Sequence, residues 1–321
     1  MLEKIRRPIQ TGMEAVNQLI IQSLHSDIEL IHLIGERIID SGGKRLRPLL
    51  VLLSAKAFGY EGSEHIRLAA VIEFVHTATL LHDDVVDASE LRRGLKTANV
   101  VWGNEAGVLV GDFLYSRAFQ MIASLNNTNV LEVLANATNL LAEGEVMQLI
   151  NRNKATMDES SYMEVIRRKT AMLFSAAAEI GTIIANANFE AQKAMAKFGL
   201  HLGNAFQIID DLLDYTASPE VIGKNIGDDL AEGKLTLPLI YALQECNDKQ
   251  KHIITKAIHH ASDKNFSEIL SIIQQTNALD KTKARAIKEV ERAKIYLPSM
   301  IENQYHDALL SLLDFAVTRN N

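Results

Sequence analysis

Two short segments carry one arrangement of charge in otherwise aliphatic surroundings: Asp83-Asp84-Val85-Val86-Asp87 and Asp210-Asp211-Leu212-Leu213-Asp214, preceded by Leu80-Leu81 and Ile208-Ile209. In a helix, positions i, i+1 and i+4 occupy adjacent parts of one face, so each segment aims three carboxylates at one small region. Buried bare, such groups repel one another and lose their hydration. A hard divalent cation offsets both costs, and Mg2+ characteristically bridges a few carboxylates to substrate phosphates. A single acidic cluster is as readily a solvated face. Two with the same spacing, each in an apolar helix, point to a pair of core helices with opposed carboxylates, the arrangement by which helical bundles build metal sites beside a deep pocket.

The rest of the chain is patterned for helices as well. Apolar residues recur every three or four positions, as in Val16, Leu19, Ile20 and Leu24, while strand-type alternation is nearly absent. Breaks at Ser41-Gly42-Gly43, Gly59 to Gly62, Gly103-Asn104, Asn126-Asn127, Asn153 to Ser160, Asn186 to Asn188 and Ser218-Pro219 predict about ten to thirteen helices. A chain of 321 residues, 47% hydrophobic with 5 prolines, can bury one large core. The expectation is an all-α, single-domain bundle over residues 1–321 around a deep central cavity. Helices after Pro238, richer in lysine, read as outer layers on that core.

Composition narrows the partners. A net charge of −7 argues against a nucleic-acid partner, which needs a basic surface. Cys246 is the lone cysteine, so neither an intramolecular disulfide nor a cysteine metal cage is available, in keeping with a reducing cytosol. The charged start, Met1 to Pro8, lacks the apolar core of a signal peptide. No run reaches the roughly 18 uncharged apolar residues of a transmembrane span. These features predict a soluble, cytoplasmic protein.

Basic residues supply the complement to the aspartates. Gly42-Gly43-Lys44-Arg45-Leu46-Arg47-Pro48 sets three cations in a turn just before a helix that should start near Pro48, and Lys44 with Arg47 could grip one phosphate. Taken alone, it is more readily a solvated basic turn. Arg92-Arg93 follows the first cluster, and neighbouring arginines point in different directions, so each could serve a different anion. Lys169-Thr170, Gln207, Lys224 and Lys234 add donors around the second cluster. Together these groups describe diphosphates held by Mg2+ on one side and by lysine and arginine on the other.

These motifs, with Glu73 to His82, Val110-Gly111-Asp112, Glu143-Gly144-Glu145 and the segment Gly223 to Pro238, resemble the trans-isoprenyl diphosphate synthases of the polyprenyl synthetase family, and within it the long-chain bacterial synthases. The resemblance runs over nearly the whole chain and loosens beyond Gln244. It implies the isoprenoid synthase fold, a homodimer and three Mg2+ ions. It implies that Asp83 and Asp87 ligate Mg2+ on an allylic diphosphate with Asp84 in support, and that Asp210 and Asp214 hold a third ion. Lys44, Arg47, His76 and Arg93 would then bind isopentenyl diphosphate. Arg92, Lys169, Thr170, Gln207 and Lys224 would serve the allylic diphosphate, Lys234 would also bind substrate, and Lys169 and Lys224 also count with the aspartates as catalytic.

The expected reaction is repeated addition of isopentenyl diphosphate to an allylic primer, farnesyl diphosphate, to give an octaprenyl chain for a quinone. Val75, Ala78 and Thr79, within two turns before Asp83, are candidates for setting product length, since small side chains there leave room for a growing tail. Product release would involve transient membrane contact. Rival readings are a synthase of shorter or other product length, a silent subunit of a heteromeric synthase, a terpene cyclase or head-to-head synthase, and a di-metal carboxylate bundle suggested by the Glu-x-x-His spacing of Glu73 and His76.

Overall fold

The structure, a computed structural model, describes residues 1–40, 42–216, 227–262, 264–297 and 303–319. Ser41, the Ser218-Pro219 break and Lys224 lie outside the described residues. The principal elements are helices: α1 Gln10–Ser23, α2 Glu29–Asp40, α3 Leu46–Ala57, α4 Glu64–Val86, α5 Asn104–Ala123, α6 Thr128–Asn151, α7 Glu159–Ile166, α8 Met172–Ile184, α9 Phe189–Thr216, α10 Leu237–Glu245, α11 Asp248–His259, α12 Phe266–Gln275, α13 Ala278–Tyr296 and α14 Gln304–Thr318. The sheet among the described residues is a hairpin pairing β1, Leu91–Arg92, with β2, Leu95–Lys96. The all-α class is therefore as expected. Several predicted breaks are left-handed residues, with Asn126, Asn153 and Asn186 at φ 51, 60 and 54°. Asparagine tolerates that conformation better than most side chains, so it ends helices well.

The chain divides into two compact units: Met1–Thr138 with Leu173–Gly199 and Tyr296–Leu312, and Asn139–Met172 with Leu200–Ile295 and Leu313–Asn321. In the first, α4 is the central rod. Leu68 through Ile72, Phe74, Val75, Ala78 and Leu81 are all buried, and α1, α3 and α5 pack around it. Close approach of α8 depends on Gly181, where a Cβ would lie 2.8 Å from the Val51 carbonyl oxygen.

In the second unit, Ile208 and Ile209 of α9 share a core with Leu237 and Leu239 of α10, Ile254 and Ile258 of α11, and Ile269 and Ile273 of α12. The helices after Pro238 are thus constituents of a core rather than a covering layer. Their lysines occupy the outer faces while aliphatic residues at three- and four-residue spacing turn inward. Buried Glu289 of α13 ties this unit to α9. It accepts from His201 Nδ1 at 2.7 Å and Asn204 Nδ2 at 3.0 Å, and pairs with Arg285 at 2.5 Å. Burial raises the pKa of its carboxyl, but these bonds outweigh burial and bring it down to about 2.

Candidate active site

Both aspartate clusters sit at helix C-termini. α4 ends at Val86, Asp87 caps it, and the Ser89 and Ala88 amides close back on the Asp84 and Val85 carbonyls at 2.9 and 3.3 Å. Ala88 takes φ 51° in this closure, a conformation usually left to glycine. Asp210, Asp211 and Asp214 occupy the last two turns of α9, which ends at Thr216. Helix C-termini carry the negative pole of the backbone dipole, so carboxylates there are disfavoured unless a cation joins them. The donors are hard oxygens, which fits Mg2+.

Within each cluster the middle aspartate is turned into the protein. Asp84 is buried, and Arg92 donates to its Oδ1 from Nε at 2.8 Å and from Nη2 at 2.6 Å. Asp211 is equally buried but held by neutral donors, Tyr162 Oη at 2.5 Å and Gln207 Nε2 at 2.8 Å. Burial, with the nearby Asp229 charge, pushes the Asp211 carboxyl up to about 8. Of the outer aspartates, Asp83 and Asp87 are partly exposed. Asp210 accepts from Arg319 Nη2 at 2.6 Å, and Asp214 is buried beneath the amide of Asp229 at 3.3 Å.

The basic turn is assembled from several elements of the first unit. Helix α3 begins at Leu46, two residues before Pro48, because a proline in the first turn forfeits no helical hydrogen bond. Arg45, at φ 44°, caps it and donates to Asn17 Oδ1 at 2.7 Å, while Arg6 donates to the Lys44 carbonyl at 2.7 Å. Arg93, at the hairpin tip with φ 53°, lies so close to Gly43 that a Cβ there would be 2.7 Å from Nη1. Arg47 Nη1 meets His76 Nε2 at 3.2 Å and its guanidinium covers the Phe174 ring at 4.4 Å. Burial and then the Arg47 and Arg93 charges hold the His76 pKa well below its ordinary value, so the ring is neutral and Nε2 accepts. Glu73 feels Arg45, Arg47 and Arg93, while burial raises its pKa. A carboxylate and a histidine surrounded by cations do not suit a metal, which removes the di-metal reading.

The second unit brings together Lys169, Thr170, Gln207 and the α9 cluster. Residues Arg167–Ala171 form a π turn between α7 and α8. Lys169 Nζ bonds Glu145 at 2.6 Å, and Thr170 Oγ1 donates to Gln207 Oε1 at 2.9 Å, extending the chain that ends on Asp211. Gly144 admits this turn: a Cβ there would lie 2.5 Å from the Lys169 amide nitrogen. Lys234 pairs with Glu232 and donates its amide to the Asp229 carbonyl at 2.8 Å. Of the product-length candidates, Val75 and Ala78 are fully buried, and Thr79 bonds the His76 carbonyl at 2.8 Å. A cavity along α4 is lined by Glu73, Phe74, Thr77, Leu80, Arg45 and Arg93, and none of the three candidates is among its lining residues.

The polyprenyl synthetase family profile matches residues 28–275. The chain belongs to the polyprenyl synthetase family. It is 47% identical over 320 residues to an octaprenyl diphosphate synthase of Escherichia coli (strain K12), covering 99% of each chain. A nonaprenyl diphosphate synthase of Rhodobacter capsulatus is 42% identical over 318 residues, with 99% of this chain and 98% of that protein covered. Among solved structures, a polyprenyl synthase from Caulobacter crescentus CB15, complexed with calcium and isoprenyl diphosphate, superposes with a TM-score of 0.97 at 41% identity, covering 100% of this chain and 98% of that one. Like these relatives, this member of the family is a helical prenyltransferase. No motif in the sequence singles out Tyr162 or Arg319. A buried tyrosine needs a hydroxyl partner, but nothing local names Asp211 as that partner. Arg319 lies beyond both the matched region and the motifs.

Proposed function

We propose that this chain is a long-chain trans-polyprenyl diphosphate synthase that condenses isopentenyl diphosphate repeatedly onto farnesyl diphosphate to give octaprenyl diphosphate for a quinone side chain. The observation that supports it most is the basic group of Lys44, Arg47, His76 and Arg93, built in a family member whose two acidic helix ends call for cations. Lys44, Arg47, His76 and Arg93 bind isopentenyl diphosphate, the neutral His76 ring orienting Arg47. Lys169, Thr170, Gln207, Lys224, Lys234 and Arg92 bind and orient the allylic diphosphate. Asp83, Asp87, Asp210 and Asp214 would hold three Mg2+ ions, which when bound supply Lewis-acid stabilisation of the departing diphosphate. Asp84 supports the first site from behind through Arg92.

Ionisation of the allylic C–O bond leaves a cation, which the isopentenyl double bond attacks. Loss of a proton to the departing diphosphate restores an allylic diphosphate one unit longer. The cationic side chains stabilise charge as the leaving group develops it, and proximity of the two substrates contributes much of the rate.

The same proposal takes residues 1–321 as one catalytic domain, since the boundary between the compact units falls inside α6 and α9. It takes the enzyme as a cytoplasmic homodimer without a nucleic-acid partner, touching membranes transiently to release product. Exposed Leu109 on α5, and separately Leu149 and Ile150 on α6, support self-association. No helix among the described residues is long and apolar enough to cross a membrane. Chromatography of products from the purified chain, with labelled isopentenyl diphosphate, tests the reading. Octaprenyl product is expected, another length would revise only the length, and no incorporation would overturn the function. In Ala78→Tyr the product should shorten to about fifteen or twenty carbons, since overfilling a packed path costs kcal/mol. An unchanged distribution would remove Ala78 from the path.

A further inference from the structure

Arg319 follows α14, outside the region matched by the family profile. Its side chain is only 2% exposed, an uncommon position for a guanidinium, and it is held from one side by α9. The guanidinium lies 3.7 Å from the centroid of the Phe206 ring, and its Nη2 donates both to the Phe206 carbonyl at 2.8 Å and to Asp210 Oδ1 at 2.6 Å. Phe206 and Asp210 are four residues apart on α9, so ring, carbonyl and carboxylate are stacked on one helical face. The Asp210 side chain is 41% exposed despite this bond. Its Oδ1 is therefore tethered while the carboxylate still faces outward.

We propose that Arg319 is a positioning residue for the metal-binding carboxylate of Asp210. Resting on the metal role proposed for Asp210, this assigns Arg319 a function exerted through another side chain. Binding at Oδ1 fixes the rotation of the carboxylate and presents Oδ2 to the cation. The guanidinium also neutralises part of the charge that Asp210, Asp214 and Asp229 accumulate at this helix end. Groups that orient a metal ligand in this way commonly change metal affinity by about 10- to 100-fold when removed.

The experiment is Mn2+ binding to the purified full-length chain in the presence of inorganic pyrophosphate, followed by electron paramagnetic resonance, alongside steady-state kinetics in Mg2+. Arg319→Ala should weaken one class of Mn2+ site by about 10- to 100-fold and raise the Mg2+ needed for half-maximal rate by a similar factor. Saturating Mg2+ should restore most of kcat, and Arg319→Lys should recover much of the affinity. Asp210→Asn should weaken the same class, and adding Arg319→Ala to it should cost nothing further. If Asp210→Asn leaves Mn2+ binding unchanged, the metal role of Asp210 fails and the proposal with it. If Asp210→Asn weakens binding but Arg319→Ala leaves it unchanged or tightens it, the proposal alone fails. Should Arg319→Ala not fold, Phe206→Leu, which removes the ring beneath the guanidinium, should shift affinity in the same direction. Unaltered binding there is overturning too.

Discussion

The two aspartate clusters have the same spacing and the same place at a helix end, yet their charges are balanced in different ways. At the end of α4 the counter-cation, Arg92, grips the middle aspartate, Asp84. At the end of α9 the donors to the middle aspartate, Asp211, among the described residues are neutral, Tyr162 and Gln207, and the arginine has moved to the leading aspartate, Asp210. A buried carboxylate facing a guanidinium is stable as an anion. One facing a phenol and an amide, with Asp229 nearby, holds a proton more readily. Equal spacing therefore fixes where carboxylates point but not which of them carries charge.

The largest effects should separate outer from middle aspartates. Asp83→Ala or Asp87→Ala should lower kcat by about a thousandfold or more, because lost electrostatic stabilisation of a leaving group is worth several kcal/mol. Thermal melting should be unchanged or slightly higher, since one of several repelling carboxylates has gone. A melting temperature that collapsed would make these outer residues structural and erase the distinction.

Stability should then separate the two middle aspartates. Arg92→Ala leaves the Asp84 carboxylate buried without its guanidinium and should cost about 3 kcal/mol of unfolding free energy. Tyr162→Phe removes a neutral donor to Asp211 and should cost only about 1 to 2 kcal/mol. Denaturant titrations of both variants, without metal, would measure the difference. Equal losses would mean that the charged and neutral clamps are interchangeable.

The effect read in the smallest steps is a slope with pH, at most about 1.4 kcal/mol per pH unit. Asp211 has a folded pKa of about 8, above its unfolded value, so the folded state binds the extra proton between roughly pH 4 and 8. Its contribution to stability is fully present below that window and is lost as pH rises through it. Asp211→Asn imitates the protonated form and should flatten the decline in metal-free protein over this range. A parallel pH profile for the variant and the parent would show Asp211 to be ionised throughout.

How much of this was legible in the sequence depended on distance along the chain. Aspartates at i, i+1 and i+4 translate directly into geometry, and the glycines of the basic turn mark a close approach, realised as Arg93 over Gly43. The partners of the middle aspartates were harder. Arg92, eight residues from Asp84, stands out in the sequence as a cation, but its hold on Asp84 does not. Tyr162 and Arg319 are 49 and 109 residues from their carboxylates, and only folding brings them there. The helices after Pro238 read as a covering because their lysines dominate composition, whereas position on the helix decides burial. The expectation for Lys224 lies outside the described residues.

The π turn at Arg167–Ala171 has a mechanical meaning. One extra residue within a helical rod is a dislocation: it slips the angular phase of everything beyond it by about 100°. Here the slip is absorbed at Lys169 and Thr170, with α7 upstream anchored by Tyr162, Val165 and Ile166 and α8 downstream buried along its length. Each rod keeps its own inward stripe, and the defect between them is where the side chains proposed to hold the allylic diphosphate emerge. Gly144 is the notch that lets this defect sit flush. A lineage carrying such a joint can re-aim a lysine by gaining or losing one residue at a place where the helices on either side are already out of step.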